Sequence, residues 1–247
     1  MTTHIHTEAD LDSAIAALVA ADPRFGALVE RGGRPPLRRR DGGFAGLAQI
    51  IVSQQLSVAS AAAIYGRLVA ICEPFDSACM LRLRKDRLMR VGLSGPKVKT
   101  LKTIAKAVEA HEIDLDSLVD IPADDAHAAL TRLHGVGPWT ADIYLLACLG
   151  HADAWPAGDL ALQEAARIAF NLRQRPTTKE MGPLAEGWRP HRAVAARLLW
   201  TYYRAVKQRE GVLIKPPAPA KPTTSAKRAK RIAPATPGKK KRSKHGR

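Results

Sequence analysis

The hydrophobic pattern divides this chain into a long helical part and a tail with no pattern. Through the first part, apolar residues recur at the three-to-four spacing that lines one face of a helix. Between Asp10 and Ala20 that face is Leu11, Ile15, Leu18 and Val19, and Asp22-Pro23 ends the run. Arg31 to Gly43 reads as a loop of Gly, Pro and Arg. Helices are predicted over 44–53, 57–71, 85–91, 97–110, 123–133, 138–149, 160–170, 178–186 and 190–206. Ser57 is placed to cap the second of these, and Pro138 sits in a first turn, where its missing amide hydrogen does no harm. No alternating strand pattern of useful length occurs, so the expected fold class is all-α.

The tail changes the charge picture. Of 39 Lys and Arg in the chain, 12 lie in 211–247, where there is no acidic residue. The remaining 27 basic residues face 23 acidic ones, so most of the formal +16 belongs to the tail. Rich in Lys, Pro and Ala, it cannot bury enough surface to offset its ordering entropy and is expected to be disordered. It reads either as an arm for non-specific DNA binding, the favoured reading, or as a solubilising segment. The expected organisation is 1–43 as an N-terminal helix and loop belonging to the helical domain, 44–210 as its main body, and 211–247 as the tail.

With 46% hydrophobic residues over 247, a core is readily built. No apolar run approaches the roughly 18 residues of a membrane span. The start, Met1 to His6, is neither basic nor followed by an apolar segment, so a secretory signal is not expected and a cytoplasmic, monomeric protein is. Cys72, Cys79 and Cys148 lack CxxC spacing and are expected as reduced core residues. His4 and His6 have metal-ligand spacing, but their position at the chain start discounts them. No side-chain metal site and no cofactor is expected.

The chemistry concentrates at Leu133-His134-Gly135-Val136-Gly137-Pro138-Trp139-Thr140, followed 22 residues after Gly137 by Asp159. Two glycines around a small apolar residue, between helical patterns, describe a tight turn joining two helices. Its bare amides and the following helix N-terminus suit an anion, and in a strongly basic protein that anion is a nucleic-acid phosphate. Asp159, preceding an apolar helix, is a good N-cap, and on the residues alone capping is its more ordinary role. The polar pair Gln54-Gln55 before Leu56-Ser57 is poor core material between two helices.

These three elements together resemble the helix-hairpin-helix DNA glycosylase superfamily, in its DNA-3-methyladenine glycosylase II branch, from about Phe44 to Tyr203. The resemblance implies two helical subdomains with the active site between them, in a compact form without an N-terminal β domain. It makes Asp159 the catalytic carboxylate, stabilising positive charge at C1′ as the glycosidic bond breaks. Trp139 stands where the strand-cleaving branch has its nucleophilic lysine, which implies a monofunctional hydrolase that leaves an abasic site. The resemblance further places Trp139, Trp200, Gln54, Ile143 and Leu160 around the base, with helix-face packing as the alternative for both Trp139 and Trp200. Leu56 would wedge into the duplex beside Gln55 and Ser57; the alternative is a buried interhelical leucine. His134, Gly135, Gly137 and Thr140 would clamp a phosphate, helped by a monovalent cation on the carbonyls of Leu133 and Gly135. Lys97 and Lys99 would add phosphate contacts unless they are merely solvated. The implied activity is excision of alkylated purines, 3-methyladenine above all, from duplex DNA in base-excision repair. The alternatives are a glycosylase for uracil or for deaminated or oxidised purines, and a non-catalytic chromatin-type DNA binder.

Overall fold

Helices with a single apolar stripe must find partners, and here the partners come from distant parts of the chain. The computed structural model describes residues 4–211, with side chains to 208. The tail expected over 211–247 lies, after its first residue, outside the described residues. Twelve α-helices are described: α1 Glu8–Ala21, α2 Arg24–Gly32, α3 Gly43–Ser53, α4 Val58–Ala70, α5 Ser77–Arg82, α6 Lys85–Arg90, α7 Gly95–Glu109, α8 Ala123–Thr131, α9 Pro138–Tyr144, α10 Leu160–Ala169, α11 Thr178–Ala185 and α12 Arg192–Gly211. A π-helical turn, Leu145–Leu149, carries α9 onward to the αL residue Gly150. Among the described residues β structure is limited to an isolated bridge between His4 and His151. The all-α expectation holds.

Two helical groups form. In the first, α1, α2 and α10 pack against α12. The small buried residues Ala193, Ala195 and Ala196 let neighbours approach α12 closely. Gly32 does the same from α2, since a Cβ there would stand 2.8 Å from Tyr202 Cα. The second group joins α3, α4, α5, α7, α8 and α9, with Leu47, Ile50, Ile51, Leu101 and Ile104 in its core. α1 is fixed by a capping box: Thr7 Oγ1 accepts from Asp10 N–H at 3.1 Å, and the Asp10 carboxylate accepts from Thr7 N–H at 2.8 Å.

Ion pairs tie the groups together where the chain returns from the second to the first. Arg192, at the start of α12 and 8% exposed, donates to Asp153 at 2.8 Å and to Asp124 of α8 at 3.2 Å. Arg189 reaches the same two carboxylates. A buried guanidinium needs such partners, because desolvation without them is costly.

The pattern missed α2 and α5. Both are short, and α2 begins immediately behind the Pro23 that ends α1. The cysteine expectation is corrected in part. Cys72 and Cys79, either side of the α4–α5 turn with Cα atoms 5.7 Å apart, form a disulfide, while Cys148 is free and buried. The turn between α4 and α5 brings together two residues that linear spacing gave no reason to pair.

Candidate active site

Asp159 lies at the seam of the two groups, and its carboxylate is held from three directions. Oδ1 accepts the Leu162 amide N–H of α10 at 2.8 Å, the N-cap bond expected of an aspartate before a helix. The same oxygen accepts the indole N–H of Trp200, from α12, at 3.1 Å. Oδ2 accepts the indole N–H of Trp139, from α9, at 2.9 Å. A carboxylate has about four lone-pair sites, so three donors leave one on Oδ2 for a water or a sugar. The helix N-terminus adds a favourable dipole for the anion. The capping role expected of Asp159 is present, with two indoles on the same carboxylate.

The approach to Asp159 is hydrogen-bonded to its surroundings. Trp155, 6% exposed, donates its indole N–H to Met181 O at 3.0 Å. The Gln163 amide donates to Ala157 O at 2.9 Å. Asp142 of α9 accepts the backbone N–H of Trp155 and lies 3.8 Å from His127. Burial pushes the Asp142 carboxyl up to about 8 and holds His127 below its ordinary value, so this contact is not an ion pair near neutrality. Gln163, Trp155 and Asp142 were not singled out from the sequence. The available signal was a polar residue on a helix face otherwise apolar, as with Gln163 after Leu160-Ala161-Leu162.

A cavity of about 480 Å³ opens between α9, α12 and the 35–40 loop, and neither Asp159 nor Trp139 is in its lining. Ile143 and Trp200 line it, with Pro35, Pro36, Leu146 and Ala161. Other expected base-pocket residues are placed differently. Leu160 is 63% exposed and outside the lining. Gln54 also lies outside it and donates through Nε2 to Thr140 Oγ1 at 2.8 Å, linking α3 to α9.

The hairpin turn between α8 and α9 is as the two glycines require. Gly135 has φ 85° and its Cβ would run into the Thr100 side chain, so both conformation and space demand glycine. Gly137, at φ −85°, is the N-cap of α9 and has open space around it. His134, Gly135 and Gly137 are exposed, whereas Thr140 is buried and held by Gln54. Leu133 O accepts Val136 N–H at 3.0 Å and retains a second lone pair, so the neutral carbonyl set at Leu133 and Gly135 fits a weakly held monovalent cation. His134 and Lys99 line a groove with Lys85, Lys102 and Lys106, and among the described residues no acid lines it.

Lys97 has backbone partners. Its ammonium donates at 2.8 Å to both Val52 O and Gln54 O, capping the C-terminus of α3, and burial lowers its pKa. It holds the turn that carries Leu56. Gln55 in that turn adopts φ 57°, Ser57 caps α4 by accepting from Ser60 N–H at 3.2 Å, and Leu56 stands 40% exposed.

Residues 48–190 match the model of the HhH-GPD superfamily base excision DNA repair proteins. The chain belongs to that superfamily. Within it, this HhH-GPD protein is 26% identical over 200 residues to the alkylbase DNA glycosidase-like protein mag2 of Schizosaccharomyces pombe, covering 78% of this chain and 94% of that one. Its structure is similar to the DNA-3-methyladenine glycosidase of Bacillus halodurans, with TM-score 0.71 and 27% identity over 79% of this chain and 91% of that one. It is also similar to the 3-methyladenine DNA glycosylase Mag1 of Schizosaccharomyces pombe, solved in complex with abasic DNA. There the TM-score is 0.68 and the identity 26%, over 76% of this chain and 95% of that one. No described helix of the HhH-GPD protein is long and apolar enough to cross a membrane.

Proposed function

We propose that this protein is a monofunctional DNA glycosylase that flips an alkylated purine, 3-methyladenine or a related base, out of duplex DNA and hydrolyses its glycosidic bond. The observation that carries the reading is Asp159, held by two indoles and a helix N-terminus with one lone pair of Oδ2 left over. A pure DNA binder has no use for a carboxylate beside a phosphate clamp. As the bond to the base breaks, C1′ acquires oxocarbenium character. A fixed anion stabilises that charge without reorganising, and the free lone pair of Oδ2 can orient or deprotonate the attacking water. Trp139 offers no amine for covalent attack on the sugar. The relatives named for alkylbase and 3-methyladenine excision support the substrate class.

In this reading the exposed Leu56 fills the gap left by the flipped nucleotide, with Gln55 and Ser57 beside it. The turn amides of Gly135 and Gly137 take a phosphate, joined by His134 and Lys99. Thr140 supports the clamp from below. The basic residues of 211–247 add non-specific DNA affinity, which places a monomeric enzyme with DNA in the cytoplasm or nucleoid. The test is release of free bases from alkylated genomic DNA, identified by chromatography, with strand breaks appearing only after alkali. Absence of released base overturns the reading, and nicking without alkali overturns its monofunctional part.

A further inference from the structure

The groove that holds His134 has a volume of about 780 Å³ and follows α7 away from the hairpin turn. Thr100 in its wall abuts Gly135, where an added Cβ would meet the Thr100 side chain. Farther along α7 it is lined by Lys106, and Lys85 of α6 lines it too. Seven residues of helix at 1.5 Å each put Lys99 and Lys106 about 10 Å apart on one face. Lys85, Lys99 and Lys106 are exposed and take no ion-pair partner among the described residues. The acids nearest to them in sequence are engaged elsewhere. Asp86 pairs with Arg84 and Arg90, and Glu109 accepts from Ser77 Oγ at 2.6 Å. Lys102 is spent differently, donating to Leu81 O at 3.0 Å and Leu83 O at 2.5 Å, which ties α7 to the end of α5. Like charges gathered without an acid repel one another, a cost that a polyanion removes.

We propose that this groove extends the DNA interface past the hairpin, with Lys85 and Lys106 holding phosphates of undamaged duplex on one flank of the lesion. The inference rests on the proposed function for its DNA, not for its chemistry. At its N-terminal end α7 meets the hairpin through Thr100 and the turn of Leu56 through Lys97. Lys106 lies two helical turns beyond Lys99, so a duplex gripped at hairpin and wedge reaches it only with its flank. About 10 Å of helix spans two or three phosphates of one strand, at a rise of roughly 3.4 Å each. Lysine suits such a surface, because a flexible point charge follows the backbone without reading bases. The groove starts at the hairpin, so DNA held there enters it in the same encounter, which favours DNA over an acidic protein as the occupant.

The test is binding of the full chain to a duplex with a reduced abasic site for register and about ten base pairs, one helical turn, on each side. Lys85→Gln and Lys106→Gln are each expected to weaken binding roughly threefold at low salt and to lower the salt slope by about 0.9. Lys179→Gln removes the same charge from α11, outside the groove, and should change both far less. Cutting one flank to about four base pairs should weaken the wild type and abolish its difference from Lys85→Gln and Lys106→Gln, whereas cutting the other flank should do neither. Thermal melting checks that the variants fold. Equal losses from Lys106→Gln and Lys179→Gln, or losses that survive removal of either flank, overturn the groove as a DNA surface. Base release from alkylated DNA is measured on the same wild-type protein. If it is absent while the flank effect persists, the excision reading falls and the groove stands.

Discussion

Trp139 donates its indole N–H to Asp159 Oδ2 at 2.9 Å, across the seam between the two helical groups. The bond makes a tryptophan on the hairpin helix a positioning residue for the carboxylate. Because a hydrogen bond to a charged group contributes about 1.5–3 kcal/mol, Trp139→Phe should slow excision by roughly tenfold or more. Asp159→Asn removes the charge itself and should slow it by about 10²–10³, with binding of lesion DNA retained. Single-turnover rates at saturating enzyme check both. Near wild-type turnover by Asp159→Asn would mean that another group carries the chemistry.

Leu56 stands exposed on a turn whose carbonyls Lys97 fixes. Leu56→Ala should reduce excision from duplex far more than from single-stranded DNA, since only a duplex leaves a hole to fill. The melting temperature should barely change, because little buried surface is lost. Equal losses on the two substrates would contradict the wedge role.

The two hairpin glycines should respond differently to substitution. Gly135→Ala forces a Cβ toward Thr100 at positive φ and should destabilise the protein by about 1–3 kcal/mol. Gly137→Ala meets open space and should melt like the wild type, yet bind undamaged duplex more weakly because the methyl keeps phosphate from the amides. Calorimetry with a binding titration separates the effects. A Gly135→Ala protein as stable as wild type would refute the steric account.

Asp142 predicts the pH dependence of stability. Its carboxyl is raised to about 8 by burial, whereas in the unfolded chain it titrates near 4. Between those values the folded state holds the proton more tightly, so stability from this group is present at low pH and lost as pH rises from about 4 to 8, by at most about 1.4 kcal/mol per unit. Asp142→Asn should flatten the fall in melting temperature between pH 5 and 8. An unchanged pH profile would show that Asp142 is charged in the folded protein.

Much of the fold and site was present in local pattern. Apolar periodicity set the all-α class and most helices, because a helix face is written in a few consecutive turns. Gly135 and Gly137 marked the hairpin, since a positive φ and an open N-cap are local demands, and Asp159 announced its helix in the same way. Local pattern could not pair α2 with α12, join Cys72 to Cys79, or turn Lys97 inward to carbonyls that end α3, because each depends on where distant segments return. The shared carboxylate of Trp139, Trp200 and Asp159 is of that kind too, with positions 139, 159 and 200 meeting only when α9, α10 and α12 close on one another. So is the burial of Arg197, which in the sequence is one more basic residue on a helix. Burial is a property of the packed chain.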